Sequence, residues 1–561
     1  MAPAASGPGH VTARPCRRSG GGRHFQLGPR HNGHHRTDPA RLFAHVRELR
    51  CRVRDTAADL RRVSGLQGAL KGALGGKAWT DRVARFPIHS LTSQAWVMET
   101  FNMNKLSGAV LALILALPLS ASADTPLNRI LFANVNVFDG NSDKLAGGME
   151  VLVEGNLIKA VGHDIDADDA QVIDGGGRTL MPGLIDSHVH FSAYTPIAIQ
   201  GRQNVSEFMV GALATVRGEA MLMRGFTTVR DTGGPSTYLR KLFDTNLAPG
   251  PRVYGAEAMI SQTGGHGDFR GLTNDNPHFG DGPQHWYERR LGYIVDGPHE
   301  FARAARESFR NGADFFKVFV SGGVSSEFDP IHAVQSTPQE LTAVVQVAEQ
   351  AKTYVTAHCH TAEGVHHALD AGVHMLEHVP MIGNTPAEID KAVTRIVESD
   401  VFVEFNTGTV LGRSLDELKA MLSPESYAKV MPAIQAYRAS LRAFAEHGAK
   451  FVYGTDLVAP WGGGTLATEA RLQLAEFGIY MEFFDNLSVL KSATLWGGEV
   501  AAMTGPNNPY PEGRLGVIKE GAYADILLVN GNPLDDPAIL ADHATNLHLI
   551  MKDGIVFKNR L

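Results

Sequence analysis

Cysteine is nearly absent from this sequence. Of three in 561 residues, Cys16 and Cys51 precede residue 102, and only Cys359 follows it. No intramolecular disulfide can form from residue 124 onward, even in an oxidising compartment, so stability must come from an apolar core and from metal. Beyond residue 124 there is no apolar run of membrane-spanning length, no heptad, no fixed-period repeat and no low-complexity tract. Positive charge is scarce there too. Residues 1–102 hold 17 Lys/Arg against 6 Asp/Glu, so a chain of net charge −7 carries about −18 over the remainder. What is plentiful is apolar surface (43%) and glycine (60 residues), the mix of a loop-rich globular enzyme with room for a large domain and a smaller one.

Charge asymmetry of this kind ordinarily marks a basic tail for nucleic acid or membrane. A simpler reading is available. "MNKLSGAVLALILALPLSASADTP" at 103–126 places Lys105 before an apolar stretch (about 106–119), followed by Ala121-Ser122-Ala123. That is the three-part layout of a secretory signal peptide, too short in its apolar part to span a membrane comfortably. Translation is expected to start at Met103, with 1–102 a non-native or disordered extension and 103–123 the signal peptide. Cleavage after Ala123 would give an exported chain, periplasmic or secreted, with no stable membrane anchor and no nucleic-acid partner.

From 129 to 180, apolar/polar alternation broken by Asp-Gly and Glu-Gly turns predicts short antiparallel strands, and "GRLGVIKEGAYADILLVNGNP" near the C-terminus reads alike. Between these ends, eight β-type runs alternate with helical stretches: 180–190, 226–231, 252–258, 314–320, 354–360, 374–380, 401–406 and 450–456. One helix is expected at 337–352, with Thr337 as N-cap and Pro338 at the first turn. The expected fold is α/β, a (β/α)8 TIM barrel at 183–505. A small β-sandwich domain is built from both ends, 124–182 and 506–561.

In such a barrel, residues at the C-terminal ends of the strands share one mouth. "LMPGLIDSHVHF" ends strand one in His188 and His190, two apart and therefore on one face. Lys317 sits within strand four among Phe315, Phe316, Val318 and Phe319. His358 and His360 end strand five, His378 ends strand six and Asp456 ends strand eight. Each alone has a plainer explanation, such as a strand-end histidine or a helix N-cap. Together they point to a site. Burial penalises a lysine cation and frees its amine, which can add carbon dioxide to form a carbamate with two ligand oxygens. The alternative is a lysine paired with Asp or Glu across the barrel.

"PGLIDSHVHF", "TGGHGD", "KVFVSGGVSS", "AHCHTAEGVHHALDAGVHMLEH", "YGTD" and "GRLGVIKEGAYADILLVNGNPLDD" occur in the order found in the binuclear-metal amidohydrolase superfamily. Over roughly 127–561 the chain resembles its imidazolonepropionase-related zinc carboxypeptidase and prolidase-like branch. The resemblance implies two divalent metal ions, with Zn2+ the expected identity and manganese or cobalt able to serve. It places His188, His190 and Asp456 on one ion, His358 and His378 on the other, and carboxylated Lys317 between them. It implies a hydroxide held between the ions as nucleophile, with Asp456 passing its proton to the leaving amine. "EHVP" departs from the pattern, since relatives often carry glycine after the histidine. Cys359 should point away from the ligands.

Substrate residues are read more coarsely. His266 in "TGGHGD" is a candidate donor to the oxyanion or substrate, or else a loop histidine shaping a Gly-rich turn. His360 is assigned to substrate, and His332 and Gln335 to a substrate carboxylate. Tyr194, Phe269 and Trp461 suit an apolar substrate. The resemblance implies hydrolysis of a small amide: dipeptides such as Xaa-Pro, or N-acyl amino acids with an apolar C-terminal residue. Ochratoxin A, a phenylalanine amide cleaved by some enzymes resembling this branch, is a specific instance. A homo-oligomer is compatible with it. Two rivals stand beside this reading. "HTAE" (360–363) resembles the H-x-x-E of mononuclear deaminases, with His360 as ligand and Glu363 as proton shuttle, so a mononuclear-metal deaminase, or a cyclic amidase, of a heterocycle is one alternative. A non-catalytic barrel scaffold is the other.

Overall fold

The computed structural model describes residues 128–194, 206–271, 276, 290–459 and 465–561. The extension expected at 1–102, the signal peptide expected at 103–123, Trp461 and the side chain of Tyr194 lie outside the described residues.

Strands β1 (Arg129–Val137), β2 (Ala146–Glu154), β3 (Leu157–Gly162), β4 (Gln171–Asp174) and β5 (Thr179–Pro182) come first. Near the C-terminus lie β17 (Ile526–Val529), β18 (Leu547–Lys552) and β19 (Ile555–Asn559). Both groups share one eight-stranded mixed sheet of order β19-β18-β17-β5-β1-β2-β3, with β4 beside β1. The seam is β5, parallel to β1 and antiparallel to β17, where Leu180 faces Leu528. Alternation divides the burial in β17: Ile526 and Leu528 pack into the sheet's own core, while Leu527 and Val529 join the large barrel core. That is why "ILLV" carries no polar residue.

The chain leaves this sheet at Gly183, where a Cβ would collide with Thr227, and enters the barrel. Its strands are β6 (Leu184–Tyr194), β7 (Phe226–Asp231), β8 (Arg252–Gly255), β9 (Met259–Ser261), β10 (Gly292–Ile294), β11 (Phe316–Phe319), β12 (Val355–Thr361), β13 (Met375–Met381), β14 (Phe402–Glu404), β15 (Phe451–Val452) and β16 (Leu457–Ala459). They form two wholly parallel ladders, β16-β6-β7-β8 and β10-β9-β11-β12-β13-β14-β15. Two expected strands are each broken in the middle, and the breaks join the ladders. The third passes from β8 to β9 through Glu257 (φ 56°), and Asp314 N–H donates to Gly255 O at 2.8 Å. The eighth passes from β15 to β16 through Asp456 (φ 49°); Ser187 N–H donates to Tyr453 O, and Asp456 N–H to His188 O, both at 2.7 Å. These bonds link the two ladders of the TIM-barrel-type fold. The expected 180–190 run is likewise two strands, and β10 is an addition the sequence pattern did not show.

Helices cover the outside. Pro338–Ala351 begins with Thr337 accepting from Glu340 N–H, while Glu340 Oε2 accepts from Thr337 N–H at 2.6 Å. Such a capping box satisfies two otherwise orphaned donors. On the strands the pleat sorts residues. Val318, Ala357, Cys359, Leu376 and Val403 pack into the apolar core under the helices. Alternate positions Lys317, Thr356, His358, Glu377 and Glu404 take the other face, in register as Lys317 with Thr356, His358 with Glu377, and Glu377 with Glu404. Among the described residues, no helix is long and apolar enough to cross a membrane.

Candidate active site

The local sequence aims the histidines. Asp186, fully buried, accepts from His188 N–H (3.2 Å), Thr455 Oγ1 (2.7 Å) and Gln473 Nε2 (2.9 Å), tying the start of "DSHVH" to strand eight. Burial pushes its carboxyl up to about 6, against those hydrogen bonds. His188 Nδ1 meets Glu404 Oε2 at 2.9 Å, and His190 Nδ1 meets Gly233 O at 3.2 Å. Both rings therefore turn Nε2 toward Asp456 Oδ1, at 3.4 and 3.1 Å. A carboxylate or carbonyl on one ring nitrogen fixes the tautomer and leaves the other lone pair for a cation. Gly454 belongs to this arrangement, since a Cβ there would strike the Glu404 side chain.

Strand parity alone would send His378 outward, because it pairs with Cys359. A left-handed backbone at His378 (φ 74°) and Val379 (φ 38°) reverses the pleat and brings the ring inside beside Glu377. Val379 holds a conformation that suits glycine, so the departure at "EHVP" is a strained bend. Asn406 Oδ1, also contacted by the Tyr437 hydroxyl at 2.8 Å, faces His378 Nδ1 at 2.8 Å. The rings of His358 and His378 lie 4.5 Å apart, as do those of His358 and His360. Cys359 points away into the apolar core, as expected.

Among the described residues, three groups have ligand atoms close enough to share an ion: His188–His190–Asp456, in which Asp456 is half-buried, and the buried His358–His360–His378 and His188–Glu377–His378, the last linking the other two. Burial first, and then the neighbouring charges, hold His188, His358 and His360 well below the usual imidazole range; burial takes His378 to about 3. All four are neutral at physiological pH. Burial opposes ionisation of Asp456, but its bond to His190 and the charges of His190, His378 and Lys317 hold its pKa low. Lys317 is 2% exposed, and burial brings its amine down to about 7 against the pull of Asp456 and Glu404. Of the two readings of Lys317, the ion pair is the one seen: Nζ contacts Glu377 Oε2, whose other oxygen accepts from Thr356 Oγ1 at 2.8 Å. The donor set of neutral imidazoles and buried acids fits divalent metal.

His266 stacks on His358 with centroids 4.2 Å apart, and its Nδ1 lies 2.7 Å from Ser326 Oγ and 3.2 Å from Asp329 Oδ2. Asp329 is ionised far below the usual range, to about 2: burial opposes this, but His266, Ser326 and Lys429 prevail. Gln335 is buried and supports His266, accepting from its N–H at 2.8 Å, and its Nε2, the donor a substrate carboxylate would need, faces Asp329 Oδ2 at 3.4 Å, so it is committed to the protein. His332 is exposed and lines neither cavity described next.

A deep chamber includes His188, His190, Lys317 and Phe269, whose ring lies edge-on to His266. It shares His266, Ser325, His358, His378 and Asp456 with an outer cavity, where His360 sits among apolar side chains. Glu363 is exposed on the first turn of the next helix and lines neither space. The deaminase reading therefore loses its proton shuttle. Glu377, Glu404, Asn406 and Asp329 are site residues that the sequence reading passed over.

Known proteins agree with this geometry. The family model for the Amidohydrolase family matches residues 179–556. Ochratoxinase of Aspergillus niger is 28% identical over 457 residues, 78% of this chain and 88% of that one. The crystal structure of a prolidase complexed with N-methylphosphonate-L-proline is 32% identical, with a TM-score of 0.69, covering 77% of this chain and all of that one. A Xaa-Pro dipeptidase with methionine bound in its active site gives 27% identity and a TM-score of 0.63 over the same share. With two linked parallel ladders, imidazole clusters at the strand ends and a family match across most of the described residues, this chain belongs to the amidohydrolase family and is a hydrolase of amide bonds.

Proposed function

We propose that the protein is a binuclear metal hydrolase acting on dipeptides such as Xaa-Pro, or on N-acyl amino acids with an apolar C-terminal residue, ochratoxin A included. One observation carries this: two buried donor clusters share the His188–Glu377–His378 group, so the donors of one ion adjoin those of a second. The printed activities of the ochratoxinase and prolidase relatives support the substrate class. In this reading His188, His190 and Asp456 would hold one ion and His358 and His378 the other, and Lys317, as a carbamate, would serve both. Two divalent cations, when bound, supply an acidified water as nucleophile and polarise the scissile carbonyl.

The chain's own residues do the rest. The Lys317 amine, pushed down to about 7 by burial, adds carbon dioxide through its lone pair and releases one proton, which Glu377 lies beside and can accept. The Asp456 carboxylate takes the nucleophile's proton and delivers it to the leaving amine. His266, clamped at Nδ1 by Asp329 and Ser326, has its other nitrogen left to donate to the carbonyl oxygen. The test is a panel of dipeptides, N-acyl amino acids and ochratoxin A, run with metal analysis on one preparation and repeated with Lys317→Ala. Two ions per chain, falling on substitution, with hydrolysis of a panel member is expected. One ion and activity that survives Lys317→Ala would overturn the two-ion reading. Bound metal with no hydrolysis would return the scaffold reading.

A further inference from the structure

The outer cavity has an unexplained cation. Its walls are apolar, with Val410, Leu418, Met421 and Leu422 on one side, and its floor is the imidazole cluster. Among the described residues, Arg413 is the one arginine or lysine lining it. Among the described residues Arg413 makes no side-chain hydrogen bond and no ion pair, and its Nε is buried without a partner. The acid whose charge acts on it is already committed: Glu417 accepts from Ser414 N–H at 2.8 Å and from Arg471 Nη2 at 2.6 Å. Burial lowers the guanidinium pKa, with Glu417 only partly offsetting this. The loop that presents Arg413 is fixed on both sides. Arg471 Nη1 donates to Gly412 O at 2.6 Å, and Ser414 opens the capping box of helix Leu415–Met421.

A guanidinium half sunk in an apolar wall without a counter-ion is costly unless a ligand supplies one. Its planar fork matches a carboxylate. We infer that Arg413 anchors a substrate carboxylate, so that the outer cavity takes an amide whose amino-acid half presents a free carboxylate beside an apolar side chain. This role, earlier sought in His332 and Gln335, falls to a residue on the loop after strand seven. The inference rests on the amide-hydrolase reading for the identity of the scissile bond, but not for the anchor itself.

Calorimetric titration of the metal-loaded protein with 3-phenylpropionate and its uncharged counterpart 3-phenylpropanol reads the anchor without turnover. Tighter binding of the acid is expected, and Arg413→Met should weaken the acid by about 10- to 100-fold while leaving the alcohol within about twofold. Arg413→Lys should recover part of the loss. In kinetics on any cleaved N-acyl amino acid, Arg413→Met should act on KM more than on kcat. If no panel substrate is cleaved but the calorimetric difference holds, the hydrolysis reading fails and the anchor stands. Equal binding of the acid to wild type and Arg413→Met, or equal losses for acid and alcohol, would overturn it.

Discussion

Replacing Glu404 with glutamine should separate metal binding from folding. His188 Nδ1 lies 2.9 Å from Glu404 Oε2, with side-chain exposures of 1% and 0%, so no solvent can substitute for the acid. Burial, and then the charges of Asp456 and Glu476, hold the Glu404 carboxyl well above its ordinary range, so without metal its neutral form is favoured. Glutamine imitates that neutral form in shape and charge. The metal-free variant should therefore melt close to wild type, within about 1 kcal/mol. A cation on His188 favours the carboxylate, and there the variant exchanges a charge-assisted hydrogen bond for a neutral one. Outer partners of this kind are worth roughly 10- to 100-fold in metal affinity, or about 1.4–2.7 kcal/mol. The same amount should disappear from the stabilisation that added Zn2+ confers, because ligand binding shifts unfolding by mass action. Chelator competition read by elemental analysis, with melting curves at several zinc concentrations, measures both. Affinity unchanged within about twofold, or an equal loss of stability with and without metal, would refute the reasoning.

Gly454→Ala should reproduce part of that effect without touching a polar group, since its Cβ would push Glu404 away from His188. A cost of about 1–3 kcal/mol with weakened zinc binding is expected, and normal affinity in a well-folded variant would count against it. Asp329 is held at about 2 against an ordinary 3.8, so its ionised form favours the native state by about 2 kcal/mol. That contribution is complete above about pH 4 and is lost as pH falls through about 2. Denaturant unfolding should thus show the deficit of Asp329→Asn shrinking from pH 5 to pH 2, whereas a constant deficit would contradict it. For export, we propose a mature chain beginning at Asp124, to be read by N-terminal sequencing of the natural protein; peptides from 1–102 would refute it.

The barrel and the histidine positions were legible because strands announce themselves by apolar runs, and a polar residue at a strand's end breaks the run visibly. His188, His190, His358 and Asp456 stand at such breaks. Lys317 was found as a charge inside an apolar strand, and the same signal marks Glu404 in "VFVEFN", where it went unused. Glu377 was hidden for a different reason. Adjacent residues on a strand face opposite sides, so an inward His378 implied an outward Glu377 until the left-handed bend allowed both. Backbone reversals of that kind leave no mark in hydropathy. Nor does commitment: Gln335 carries a donor suited to a substrate carboxylate, but its Nε2 faces Asp329 and its carbonyl accepts from His266 N–H. The breaks in strands three and eight were invisible too, as they come from left-handed Glu257 and Asp456, types that give no turn signal as strong as glycine.

The seam between β5 and β17 has a consequence in time. Leu180 and Leu528 are partners about 350 residues apart along the chain, so the lid beneath the barrel cannot close until synthesis is almost finished. Half-made chains would keep the apolar underside of strand one bare, dependent on chaperones for the length of translation. For a polypeptide threaded through a translocation pore, as residues 103–123 lead us to expect, that delay is useful: a body unable to lock early stays linear enough to pass.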